Sequence, residues 1–161
     1  MDVGASSFKK PLLAKAFNNT HSIGFEPDKR SSDDFLDTKK TGDFILYPVG
    51  LSDIDGEIPL YLTKKSHCSS ILRPLENLND DRYSVLEQIK IPSKKLDNLC
   101  LKADIIKIDV QGAEKSVICG GINTVKDSSV LVCELFFSKK YQNQTTFENI
   151  RDLVEPLGFI F

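Results

Sequence analysis

Ala103-Asp104-Ile105-Ile106-Lys107-Ile108-Asp109-Val110-Gln111-Gly112-Ala113-Glu114 reads as a buried strand that delivers an acid to a glycine turn and a helix. Ile105, Ile106, Ile108 and Val110 are β-branched and nearly continuous rather than strictly alternating, the pattern of a central strand covered on both faces of an α/β sheet. Asp109 falls near the end of that strand. Ligands of open α/β sheets bind beyond the carboxyl ends of the strands, so an acid there is either a ligand contact or a cap for the following helix.

Downstream, Gly112-Ala113-Glu114 leads into a helix with Val117 and Ile118 on its inner face and Gly120-Gly121 as its stop. Glu114 reads as a first-turn acid that favours the helix dipole. Val130 to Phe137 is a second apolar strand containing Glu134, a costly carboxylate unless it meets a partner, a ligand or solvent at the strand end. Thr146 to Leu157 is amphipathic, and Gly158 to Phe161 begins another strand. Upstream, Val85 to Ile91 predicts a strand and Pro92 to Leu99 a short helix with Ser93 as its cap.

The chain opens with Met1-Asp2-Val3-Gly4-Ala5-Ser6-Ser7, the last residues of a strand entering a tight turn that glycine permits. Pro11 to Phe17 has the spacing of a crossover helix, and His21 to Pro27 that of a second strand ending at Glu26. Glu26 follows Gly4 by about 22 residues, near the separation at which a carboxylate meets ribose hydroxyls in nucleotide-binding βαβ units. A polar stretch from Asp28 to Gly42, anchored by Phe35 and Leu36, predicts a short surface helix. Two strand patterns, Asp43 to Ser52 and Glu57 to Thr63, flank the Asp53–Gly56 turn and predict a hairpin added to the sheet, with Pro59 marking an edge. The loop from Lys64 to Leu72 carries His67, Ser69 and Ser70; long loops often serve as functional lids, while a histidine beside serines is also the pattern of a solvated loop.

The 161 residues fit one domain with a real core, 40% of them hydrophobic and 27% charged. A net charge of -2 supplies no basic field for nucleic acid or an anionic membrane, and no apolar run is long enough to span a bilayer. A cytoplasmic protein is expected, and the residues carry no signal for an oligomeric state. Cys68, Cys100, Cys119 and Cys133 lack the spacing of a zinc site or a disulfide framework, so no metal is expected. The sequons at Asn18-Asn19-Thr20 and Asn143-Gln144-Thr145 lack a secretory leader. No G-x-G-x-x-G follows the first strand, which argues against a nicotinamide-dependent oxidoreductase.

Alternating strands and helices with acids at several strand ends predict an α/β, doubly wound, mostly parallel sheet with the hairpin inserted. Asp2-Val3-Gly4-Ala5, Gly24-Phe25-Glu26-Pro27, Leu51-Ser52-Asp53 with Gly56-Glu57, the Ser69-Ser70 loop and Ile106 to Glu114 resemble, in that order, the motifs of the FkbM family of S-adenosylmethionine-dependent methyltransferases. The resemblance implies a Rossmann-like class I methyltransferase domain over residues 1–161. It implies S-adenosylmethionine as cofactor and methyl transfer to a hydroxyl oxygen of a small-molecule acceptor such as a sugar or polyketide. On this reading Asp2 and Gly4 lie beside the methionine part of the cofactor, Glu26 takes the ribose hydroxyls, Asp53 sits near the adenine and Asp109 faces the methyl group. Asp109, Glu134 or His67 would be the base.

The chain departs from the family pattern at Ser6-Ser7-Phe8, where an aromatic residue replaces the usual glycine. The start of the first strand and the last strand or strands are also expected to be missing. These departures favour the alternative of a non-catalytic nucleotide-binding or interaction protein that keeps the fold.

Overall fold

The computed structural model describes residues 1–5, 20–31 and 44–161. The expected helix at Pro11–Phe17, the departure at Phe8 and the surface helix near Phe35 lie outside them. Five parallel strands form the central sheet in the order β3-β2-β1-β7-β8: β1 (Asp2–Val3), β2 (Ser22–Phe25), β3 (Phe44–Tyr47), β7 (Ile105–Ile108) and β8 (Val130–Cys133). This is the α/β, mostly parallel architecture that the strand patterns predict.

Ile106 and Ile108 are fully buried on one face, packed with Val3, Phe25 and the helices that follow. Those helices are α1 (Glu114–Cys119), α2 (Ile122–Lys126) and α3 (Phe147–Val154). Their apolar sides supply Val117, Ile118, Val125, Ile150 and Val154 to the same core. Thr146 caps α3 in a reciprocal box with Asn149. The start of α2 is capped from outside, by Asp97, which accepts hydrogen bonds from the backbone N–H groups of Asn123 and Thr124.

The predicted hairpin is arranged differently. Phe44–Tyr47 is not its first arm: it pairs with β2 as an outer strand of the central sheet. A separate three-stranded sheet contains β4 (Gly50–Leu51), β5 (Gly56–Thr63) and β6 (Val85–Lys94) in the order β4-β6-β5, and the antiparallel partners are β5 and β6. Local turn chemistry marked the Asp-Gly bend correctly, but strand partners are decided by burial of the apolar faces, and Ile58, Leu60 and Ile91 bury one another. Pro59 does lie on an edge strand, that of the smaller sheet. Ser93 belongs to β6 rather than to a helix cap: it is fully buried, with its Oγ 2.7 Å from Ser52 Oγ. The last turn before β7 is a 3-10 helix over Leu96–Leu99. Gly158–Phe161 forms no strand. All four cysteines are free.

The chain runs outward from β1 in both directions across the sheet, so the reversal of strand order falls between β1 and β7. There the backbones touch. Gly4 has φ +84°, and a Cβ built on it would lie 1.8 Å from the carbonyl oxygen of Asp109. Gly4→Ala should therefore both strain the turn and separate the two strand ends, destabilising the protein by about 2–4 kcal/mol; urea unfolding of the variant would measure it.

Candidate functional site

Because the five strands are parallel, their carboxyl ends share one rim. Each rim residue stays tied to the ladder by its own N–H: Gly4 donates to Phe25 O at 3.0 Å, Glu26 to Tyr47 O at 3.1 Å, Asp109 to Val3 O at 2.9 Å and Glu134 to Ile108 O at 3.0 Å. Their side chains thus leave from backbone that is still part of the sheet, which fixes their positions. A solvent-open cleft of about 550 Å³ lies along this rim, lined by Gly4, Glu26, Asp109 and Gln111 on one side and by Leu51, Leu60, His67 and Ser70 on another.

Charge on the rim is mostly negative. Lys107 Nζ stands 3.4 Å from Asp2 Oδ1 and 3.0 Å from Asp109 Oδ2. Burial raises the Asp2 carboxyl above the usual carboxylate range although Lys107 opposes it. Burial also works against the charge of Asp109, but hydrogen bonds from Glu134, Lys107 and Gln111 outweigh it and hold this carboxyl below its usual range. Glu134, exposed where β8 ends, carries the opposite shift: the hydrogen bond it gives Asp109, its desolvation and the neighbouring charge push it up to about 7. Two adjacent carboxyls that share a proton behave in this way, one favouring the anion and the other the acid.

Glu26 is 5% exposed. Its Oε1 accepts the N–H of Asp28 at 2.7 Å, and burial, above all, pushes its pKa up to about 7. Its other oxygen receives no hydrogen bond from the described residues.

The Ser66–Ile71 segment, part of the Lys64–Leu72 loop that reads as either a lid or a solvated loop, is stitched to the site. Asp28, 2% exposed, pairs with Arg30 at 2.5 Å and accepts from Ser69 Oγ at 3.1 Å. Arg30 reaches on to Thr63 O at 2.9 Å and Ser69 Oγ at 3.0 Å. Ser70 Oγ donates to Gln111 O at 2.9 Å, and the fully buried Tyr141 donates to Cys68 O at 2.8 Å. The hydroxyls of Ser69 and Ser70 are thus engaged within the protein, and the segment forms a fixed wall from which His67 lines the cleft.

The structure brings Gly4, Glu26, Asp109 and His67 to one cleft, with Glu134 next to Asp109. Asp2 is buried behind the rim with Lys107. Asp53 is exposed and turned to α1, its Oδ1 accepting from Ser116 Oγ at 2.5 Å, and is not among the residues lining the cleft. Glu114 is more than a helix-dipole acid: it is 1% exposed, and its Oε1 accepts the N–H of Gly112 at 2.9 Å across the β7–α1 turn. Sequence reasoning missed Asp28, Arg30, Gln111 and Tyr141. The Asp28-x-Arg30 spacing and the tyrosine within a polar stretch carry no local pattern that marks them.

A mostly parallel α/β sheet with acids along the rim of its switch point has the arrangement in which open α/β sheets bind ligands, beyond the carboxyl ends of their strands. The chain matches the Methyltransferase FkbM domain over residues 2–161 and belongs to that family. It is also similar to the 2-O-methyltransferase NoeI of Sinorhizobium fredii (strain NBRC 101917 / NGR234), 28% identical over 150 residues, covering 84% of this chain and 62% of that protein. The chain therefore spans about 62% of the length of this relative. No solved structure gives a significant match. No helix among the described residues is long and apolar enough to cross a membrane.

The Glu26 carboxyl yields a test. Its folded pKa lies above the ordinary 4.5, so the native state holds this proton more tightly than the unfolded chain. The contribution of Glu26 to stability is then fully present below about pH 4.5 and is lost as pH rises toward about 7. Glu26→Gln, which cannot ionise, should gain stability relative to the parent at pH 8 compared with pH 4.5, by about 1–3 kcal/mol. Paired unfolding curves at the two pH values would check this.

Proposed function

We propose that this domain transfers a methyl group from S-adenosylmethionine to a hydroxyl oxygen of a small acceptor, such as a sugar or another secondary metabolite. Family membership and the name of the O-methyltransferase relative support the reaction class. The observation that carries the ligand assignment is Glu26: a buried carboxyl at the end of β2, lining the cleft, with one oxygen committed to the backbone and the other without a donor among the described residues.

The residues present fit the cofactor. The two hydroxyls of a ribose are donors, and Glu26 offers the acceptor they require. Gly4 keeps the β1 turn free of a side chain, and Val49, Leu51 and Leu60 give the cleft an apolar part suited to an adenine. When bound, the cofactor would supply a methyl group on a positively charged sulfur; the carboxylates of Asp2 and Asp109 oppose that charge without a metal. Asp53, held by Ser116, is left out of this assignment.

A hydroxyl acceptor must lose its proton as its oxygen takes the methyl group. Of the three candidates, Asp109 is held as an anion by donors and has little proton affinity. Glu134, with a pKa near 7, is matched to accept a proton at neutral pH. It is exposed and can pass that proton to solvent. His67 lines the same cleft and would lie near an acceptor bound there. The acceptor would bind in the same cleft, and proximity supplies much of the rate.

Isothermal calorimetry with S-adenosylhomocysteine tests the assignment. Binding should strengthen from pH 5.5 to 8 as Glu26 ionises, and near pH 6.5 it should release protons, seen as a dependence of the heat on buffer. Glu26→Ala should weaken binding by about 1.5–3 kcal/mol. A folded sample that gives no heat at any pH would overturn the proposal.

A further inference from the structure

The turn between β7 and α1 contains a residue whose conformation is costly. Gln111 has φ +58°, in the left-handed region that non-glycine residues seldom occupy, and Gly112 follows at φ +97°. The backbone at Gln111 is pinned by Ser70 Oγ on its carbonyl, and that of Gly112 by Glu114 on its N–H and by Thr145 on its carbonyl. Such strain persists only where surrounding contacts over-determine it, and here they aim one side chain. Gln111 Nε2 donates to Asp109 Oδ1 at 2.9 Å.

The orientation of that amide follows from its two neighbours. A carboxylate only accepts, so the nitrogen of Gln111 must face Asp109 and its oxygen must face the other way. On that side lies the hydroxyl of Tyr141, 3.2 Å from Gln111 Oε1 and 2.8 Å from Cys68 O. The two acceptors share one hydroxyl proton in a three-centre arrangement. Tyr141 is fully buried and packed against Tyr83 and Phe136, so it cannot turn away. With Lys107 on Oδ2, both oxygens of Asp109 are occupied by donors.

We propose that Gln111 is a positioning residue: clamped by Tyr141, it fixes the orientation of the Asp109 carboxylate toward the cleft and couples it to the Ser66–Ile71 wall through the carbonyl of Cys68. In the reaction proposed above, on which this assignment of purpose rests, an oriented anion faces the cofactor and the proton is left to Glu134. The coupling means that any shift of the wall at Cys68 is felt at Asp109 through three hydrogen bonds in series.

The test follows Asp109 in the protein without ligand, by carboxyl-carbon NMR titration, in the parent and in Gln111→Met and Tyr141→Phe. Charged neighbours on every packed element remain in all three: Lys107 on β7, Asp2 on β1, Glu26 after β2, Glu134 after β8 and Glu114 on α1. Gln111→Met keeps the volume and removes the amide donor. Its Asp109 midpoint should rise by about one pH unit, a tenfold change in proton affinity, while the melting temperature stays within a few degrees. Tyr141→Phe keeps the ring and frees the amide, and a smaller rise is expected.

An unmoved Asp109 midpoint in folded Gln111→Met overturns the proposal. If that variant does not fold, Tyr141→Phe decides alone: a rise supports the clamp and no change overturns it. S-adenosylhomocysteine binding is measured on the same samples. A parent protein that binds none while its Asp109 midpoint responds to Gln111→Met would sink the methyl-transfer reading and leave the clamp standing.

Discussion

The contact between Gly4 and the carbonyl of Asp109 is the constraint around which the site is built. A sheet whose chain runs outward in both directions leaves a gap where the order reverses, and here that gap is closed to backbone contact by the lack of a side chain at Gly4. Once β1 and β7 are that close, Asp2 and Lys107 stand opposite one another in register, and Lys107 reaches Asp109 as well. One lysine between two carboxylates then moderates a rim that would otherwise be wholly repulsive. The acids can be crowded because the cation is placed by the same ladder that places them.

The acids divide into two kinds. Asp109 and Asp28 are satisfied, each by donors on both oxygens, and act as fixed charge or as fastening. Glu26 and Glu134 are raised in pKa, the first by burial and the second by its neighbour. Such groups are available to a ligand or to a proton, and environment alone separates them from the satisfied pair, since all four are carboxylates at or beyond strand ends.

Much of this was legible in the sequence for a simple reason. The apolar runs of β7 and β8, each followed by an acid, report both burial and a strand end, and Glu26 follows Gly4 by 22 residues, the spacing that predicts parallel neighbours. What failed was whatever depends on contacts far apart in the chain. Phe44–Tyr47 and Gly56–Thr63 look like two arms of a hairpin, and the sheet that each joins is decided by apolar partners elsewhere. Nor does any local pattern show that Asp53 accepts from Ser116, 63 residues away. Tyr141 reaches Gln111 across 30 residues and Cys68 across 73; no local pattern announces a hydroxyl that ends between two carbonyls.

The pairing of β1 with β7 also has a temporal consequence. The ion pair between Asp2 and Lys107 closes a separation of 105 residues, whereas β5 and β6 meet across a far shorter loop. Long-range parallel pairing carries its entropic cost before its contacts repay it, so the smaller sheet can assemble early and the cleft only when the chain's two distant segments dock. A ligand that bridges the ends of β1, β2 and β7 consequently recognises only the completed fold. On that order of assembly it fastens the junction that forms last.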